Sequence, residues 1–261
     1  LMDAIKGELR RIKREYGRER KTTIVEEVSE IKIDTTMMIP KEDVIVVITN
    51  EGYVKRVSNK SYQASKDEEP LLKEGDYVIG LYELSTLDTI LLFTSLGNYL
   101  YLPVHEIFDT KWKELGKHIS NIIPLKENEF IIGSIPVTDF DKEVYITTFT
   151  ERGIVKRTLL KEYYAQRYSK PMSNMKIKKD DKVISVTSSD NDEIIVITNS
   201  GYALKFDTSE VSITGIRTSG VKTINLKGDK VVGALISSNE YIVLVMNKGN
   251  LKRIKVSEIE K

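Results

Sequence analysis

Residues 48–58 read ITNEGYVKRVS: a short apolar run, a polar pair, a glycine, then a second short run carrying Lys55-Arg56. Glycine reaches the positive φ that hairpin turns demand without steric penalty, so Gly52 predicts a tight β-hairpin. The pattern returns. Aligned on the glycine, VIVVITNEGYVKRVS (Gly52) is followed by TILLFTSLGNYLYLP (Gly97), VYITTFTERGIVKRT (Gly153), EIIVITNSGYALKFD (Gly201) and YIVLVMNKGNLKRIK (Gly249), with glycines 45, 56, 48 and 48 residues apart.

Between these hairpins a weaker element recurs: EGDYVIGLYEL, ENEFIIGSIPV, KDDKVISVTSS and KGDKVVGALIS, each a charged turn leading into a strand that often carries a small residue. One repeat is therefore about four strands, and a period of roughly 40 to 50 residues marks propeller blades, because a single blade cannot bury both its faces. The fold class is all-β and β-propeller-like, with five visible blades and a sixth left open.

A helix precedes the strands. Leu1, Ile5, Leu9, Ile12 and Tyr16 fall at steps of three and four, one apolar helical stripe, with Gly17 as its stop. A stripe already running at the first residue predicts the end of a longer helix over 1–21, and strand-like runs begin at Ile24, so the β domain is expected over 22–261. The helical segment carries a net +4, leaving −3 for the rest of a chain whose 40 Lys+Arg and 39 Asp+Glu nearly cancel. Net charge alone thus announces no nucleic-acid partner, and the distribution has to be read.

The position four after each glycine holds Arg56, Tyr101, Arg157, Lys205 and Arg253, and the position before it Lys55, Leu100, Lys156, Leu204 and Lys252. Neighbours on a strand point to opposite faces, so a Lys-Arg pair inside a blade would bury a charge. The pairs are therefore expected at strand ends or on an outer, wet edge. Singly they read as protection against edge-to-edge pairing; recurring in register, they read as a discontinuous belt matched to a curved polyanion, which phosphate contacts hold without base specificity. Lys60, Arg167, Lys170, Arg217 and Lys222, in the loops that follow, join the candidate DNA-binding set.

Other chemistry is poorly supported. With no cysteine, disulfides, thiolate metal sites and cysteine nucleophiles are excluded. His105 and His118 lack ligand spacing and read as surface or turn residues. No phosphate-loop, dinucleotide or nucleophile-elbow motif occurs. Trp112 reads as a packing anchor, and the runs KDEEP and SSDNDE as solvated turns. No apolar run approaches the roughly 18 residues of a membrane helix, and a soluble, cytoplasmic protein is expected.

The helix ending KREYGRERKTTI, followed by hairpins such as ITNEGYVKR and ITNSGYALKF, resembles the C-terminal region of the A subunit of bacterial type IIA topoisomerases, gyrase and topoisomerase IV. The resemblance implies a β-pinwheel, a propeller-like disc whose blades exchange strands, binding and bending double-stranded DNA on a basic outer rim. It also implies that residues 1–21 end the long helix leaving a catalytic core, and that none of the 13 tyrosines is a nucleophile. ATP and magnesium would serve the holoenzyme and not this fragment. The B subunit of topoisomerase IV, together with a second A subunit, would be partners through a missing N-terminal region, near the nucleoid. Gyrase carries a basic, glycine-rich box after its first hairpin, where this chain has the acidic SYQASKDEEP; YYAQRYSKPM is only a degenerate echo. That departure favours topoisomerase IV, with a divergent gyrase and a protein-interaction propeller as alternatives.

Overall fold

The computed structural model describes residues 1–22, 38–65, 68–190, 193–236 and 239–261. Two compact units make up the chain, residues 1–37 and 38–261. In the first, helix α1 (Met2–Tyr16) ends at Gly17, whose N–H donates to Lys13 O at 2.9 Å. The strand-like run expected from Ile24 lies outside the described residues, as do parts of the KDEEP and SSDNDE runs.

In the second unit every hairpin is present: β1 (Asp43–Thr49) with β2 (Tyr53–Ser58), β4 (Thr89–Thr94) with β5 (Asn98–Pro103), β8 (Tyr145–Thr150) with β9 (Ile154–Leu159), β12 (Glu193–Thr198) with β13 (Ala203–Asp207), and β16 (Tyr241–Val245) with β17 (Leu251–Lys255). The charged turns lead, as expected, into β3 (Val78–Ser85), β7 (Ile131–Val137), β11 (Val183–Ser189) and β15 (Val231–Ile236), each pairing with the first strand of its hairpin. Three two-residue strands complete the sheets: β6 (Lys117–His118), β10 (Met172–Ser173) and β14 (Val221–Lys222).

Sheet order reveals strand exchange. The first sheet runs β3-β1-β2-β6, the second β7-β4-β5-β10 and the third β11-β8-β9-β14. Each short edge strand comes from the connection that follows the next hairpin, so consecutive repeats interlock. Among the described residues the fourth sheet has three strands and the fifth two. Strands β3, β7, β11 and β15 adjoin one another, tied by Tyr82 Oη to Ser134 O (3.0 Å) and Ser185 Oγ to Ala234 O (2.6 Å). They form the inner edge, and β6, β10 and β14 therefore lie on the outer edge.

The core is a series of interfaces between blades. Val46, Ile48 and Val54 meet Leu92 and Leu100; Phe93 and Tyr99 meet Ile146 and Tyr163; Phe149 and Val155 meet Val196 and Phe206; Ile195 and Ile197 meet Ile242 and Val256. Both faces of an inner blade are thus covered.

Candidate nucleic-acid interface

The turns explain themselves first. In all five hairpins the glycine has positive φ, between 73° and 89°. In the first four its N–H donates to the carbonyl of a threonine, Thr49, Thr94, Thr150 or Thr198, whose hydroxyl accepts from the residue after the glycine at 3.1–3.3 Å. The acids of the charged turns serve the same place. Asp76, Asp181 and Asp229 accept from the turn N–H groups of Glu51, Arg152 and Ser200 at 3.0–3.2 Å. In the second blade Glu129 accepts instead from the Thr94 hydroxyl (2.6 Å) and Asn98 Nδ2 (2.7 Å). The sequence reading missed this role. An acid in register just before each inner strand was the available signal.

The Lys-Arg repeat requires a correction. Lys55, Lys156 and Arg157 are not on a wet edge: they are 2%, 1% and 3% exposed. Lys55 Nζ donates to Trp112 O (2.8 Å) and Glu114 O (2.9 Å), and lies over the Trp112 ring. Lys156 Nζ donates to the Thr158 hydroxyl and contacts Asn174 Oδ1 (3.5 Å), beside the Tyr163 ring. Burial pulls both ammonium groups down from 10.5 to about 8, partly offset by Glu114 and Glu162 respectively. Neighbouring side chains do point to opposite faces. In a disc, however, both faces abut neighbouring structure, and the carbonyls of the connections receive the charges.

The position four after the glycine forms a clasp. Arg56, half-exposed, donates to His105 O at 3.2 Å. Arg157 donates to Thr208 O (3.1 Å) and Asp190 O (2.8 Å), with its guanidinium 4.0 Å from the Tyr145 ring centroid. Lys205, half-exposed, reaches Val256 O (3.4 Å) and Glu193 (3.8 Å). In the second blade Tyr101 substitutes a stack for the cation, flanked by Phe140 and Tyr168 at 5.6 and 5.4 Å. In these four cases the side chain grips the connection after the next hairpin. Lys252 and Arg253, in the fifth blade, are exposed, and Arg253 stacks on Tyr241 at 4.6 Å.

The loop cations lie where a polyanion could reach them. Lys60, in the short helix α2 (Asn59–Gln63), and Arg167, Lys170, Arg217 and Lys222 are all exposed. Arg217 has φ 70°, and its N–H donates to Asn174 O at 3.0 Å. Trp112 is an anchor: 3% exposed, edge-on to Tyr62, its Nε1–H donating to Glu68 O at 2.8 Å. His118 is half-buried in β6, with Nε2 3.0 Å from Glu51 O. No helix of the described residues is long and apolar enough to cross a membrane.

The family described as the DNA gyrase C-terminal domain, β-propeller, matches residues 43–66, 88–138, 145–190, 192–238 and 240–261, one block per hairpin. The A subunit of DNA topoisomerase 4 from Staphylococcus aureus (strain MRSA252) is 42% identical over 228 residues, 87% of this chain and 28% of that protein. The chain thus spans 28% of the length of such a curated relative. A crystal structure of the C-terminal domain of DNA topoisomerase IV superimposes with a TM-score of 0.81 at 46% identity, covering 86% of this chain and 71% of the other. A gyrase A C-terminal domain shares the fold, at TM-score 0.62 and 23% identity over 84% and 73% of the two chains.

Proposed function

The chain belongs to the DNA gyrase C-terminal domain family of β-propellers, and on that premise we propose that it binds duplex DNA along its outer edge, as part of the larger DNA-cleaving subunit of a topoisomerase IV. The observation that carries this reading is that all five loop cations, Lys60, Arg167, Lys170, Arg217 and Lys222, are exposed, while Lys55, Lys156 and Arg157 turn inward. Contacts of this kind neutralise phosphates and carry no base specificity, so the disc would bind any duplex and favour its bending.

Supporting topoisomerase IV over gyrase, the stretch after the first hairpin is acidic and is pinned to Trp112, with Glu68 paired to Lys113 at 2.8 Å. Cleavage, ATP hydrolysis and magnesium binding would belong to parts of the holoenzyme outside this chain, including the B subunit with a second A subunit, in the bacterial cytoplasm. The disc's task would be to capture and orient the transported duplex.

Duplex affinity of the 261-residue chain, measured between about 50 and 200 mM salt, tests the reading. A linear fall of log K with log salt, equal for unrelated sequences, is expected. Binding that is absent or insensitive to salt would overturn it.

A further inference from the structure

Two of the longer carboxylate-free stretches of the chain lie in connections between hairpins. Residues 163–179 hold Arg167, Lys170, Lys176, Lys178 and Lys179, and residues 211–228 hold Arg217, Lys222 and Lys227, with no Asp or Glu in either. In a chain of formal net charge +1 this is a marked local excess. The fold lays the two stretches side by side. Met175 and Thr218 form a parallel bridge, Lys176 N–H donates to Thr218 O at 2.9 Å, and Arg217 N–H donates to Asn174 O at 3.0 Å. All eight cations are exposed, and none pairs with a carboxylate among the described residues.

The seam has a physical origin. Each stretch runs through the end of a connection into an exchanged edge strand, β10 or β14, so strand exchange brings two successive connections together on the outer edge. Arg217 sits there in the left-handed region, uncommon for a residue with a side chain and held by its backbone hydrogen bond to Asn174.

The first connection, residues 104–116, is the opposite case. Its Lys111 and Lys113 face Glu106, Asp109 and Glu114 in sequence, and Lys113 is taken by Glu68 at 2.8 Å. Glu68 is in turn anchored by the hydrogen bond from Trp112 to its carbonyl. At equal distance from a phosphate, a lysine already neighbouring a carboxylate releases fewer counterions on binding.

We infer that duplex DNA is gripped at the seam between the second and third connections, with Lys176 beside Arg217 at its centre, and that the first connection is a gap in the footprint. The inference rests on the DNA-binding reading above.

Its test compares two charge-reversed pairs in the 261-residue chain. Lys176→Glu with Arg217→Glu is expected to lower duplex affinity at least about tenfold and the salt slope by about two. Lys111→Glu with Lys113→Glu should stay within about threefold of the unaltered chain. Because Lys176 and Arg217 bond through backbone N–H groups, both variants retain those bonds, and lysine acetylation footprinting of the unaltered chain gives a reading that needs no variant. Duplex should protect Lys176 and Lys222 and leave Lys111 and Lys113 reactive. Salt-dependent binding that is indifferent to the seam pair, or equal protection of both sets, would overturn the inference alone. Absence of salt-dependent binding by the unaltered chain would overturn the functional reading as well.

Discussion

At the scale of single residues, Lys156 is a cation buried among neutral partners. Its folded-state pKa, about 8, lies below the usual 10.5, so between those values the unfolded chain holds more protons. Stability from this source therefore rises with pH across that window and is missing below it. Lys55 acts in the same direction. Lys156→Met leaves Asn174 Oδ1 with the Tyr163 hydroxyl at 2.7 Å, and it removes a desolvated charge. Its melting temperature at pH 7 is expected to equal or exceed that of the unaltered chain, with a shallower rise between pH 8 and 10.5; a steeper rise would contradict the account. Arg157→Ala should behave differently, because it strands the carbonyl of Thr208 in the interior. A loss of roughly 2–4 kcal/mol in urea unfolding is expected, with duplex affinity unchanged under conditions where both proteins are folded. Glycine is equally position-dependent. A Cβ on Gly97 would lie 2.6 Å from Met175 O, whereas one on Gly249 meets nothing within 4 Å. Both have positive φ, so Gly249→Ala should cost about 1–2 kcal/mol, and Gly97→Ala distinctly more, as denaturant titration would show.

At the scale of elements, what could be read in advance and what could not divide along a physical line. The hairpins and inner strands were legible because local geometry selects residue types: Gly52 and its counterparts for the turn, alternating Val and Ile for strands covered on both faces. The strand exchange followed from family resemblance, since Lys117-His118 and Met172-Ser173 carry no strand signature of their own. The turn acids were not legible as such, because Asp76 and Asp181 answer backbone N–H groups 25 and 29 residues earlier. The Lys-Arg repeat was seen correctly but placed wrongly for Lys55, Lys156 and Arg157, which are buried, whereas Lys252 and Arg253 are exposed. For Lys55, Arg56, Arg157 and Lys205 the cation meets a backbone carbonyl on a connection, an acceptor that no spacing rule exposes. The loop cations, by contrast, were placed from their position after the strands, and they are exposed.

At the scale of the whole molecule, cooperativity should fade along the chain. Among the described residues the first three sheets have four strands, and the fourth and fifth have three and two. Two-stranded sheets are marginal in water. In the fifth blade Val243, Val245 and Leu251 are more than 60% exposed. Amide hydrogen exchange is therefore expected to be fastest in β16 and β17, intermediate in β13, and slowest in β4 and β8. Uniform protection across the five hairpins would contradict this ordering.

The exchanged strands mean that the joints of the sequence repeat and the joints of the disc do not coincide. A gene rearrangement that removes one hairpin together with its connection also takes an edge from the preceding sheet, so inheritance cannot trim an interior blade without wounding its neighbour. The same offset governs mechanical load. Tension applied to the fourth hairpin must first peel β14 from the third sheet, so the load on each stitch is shared between two units.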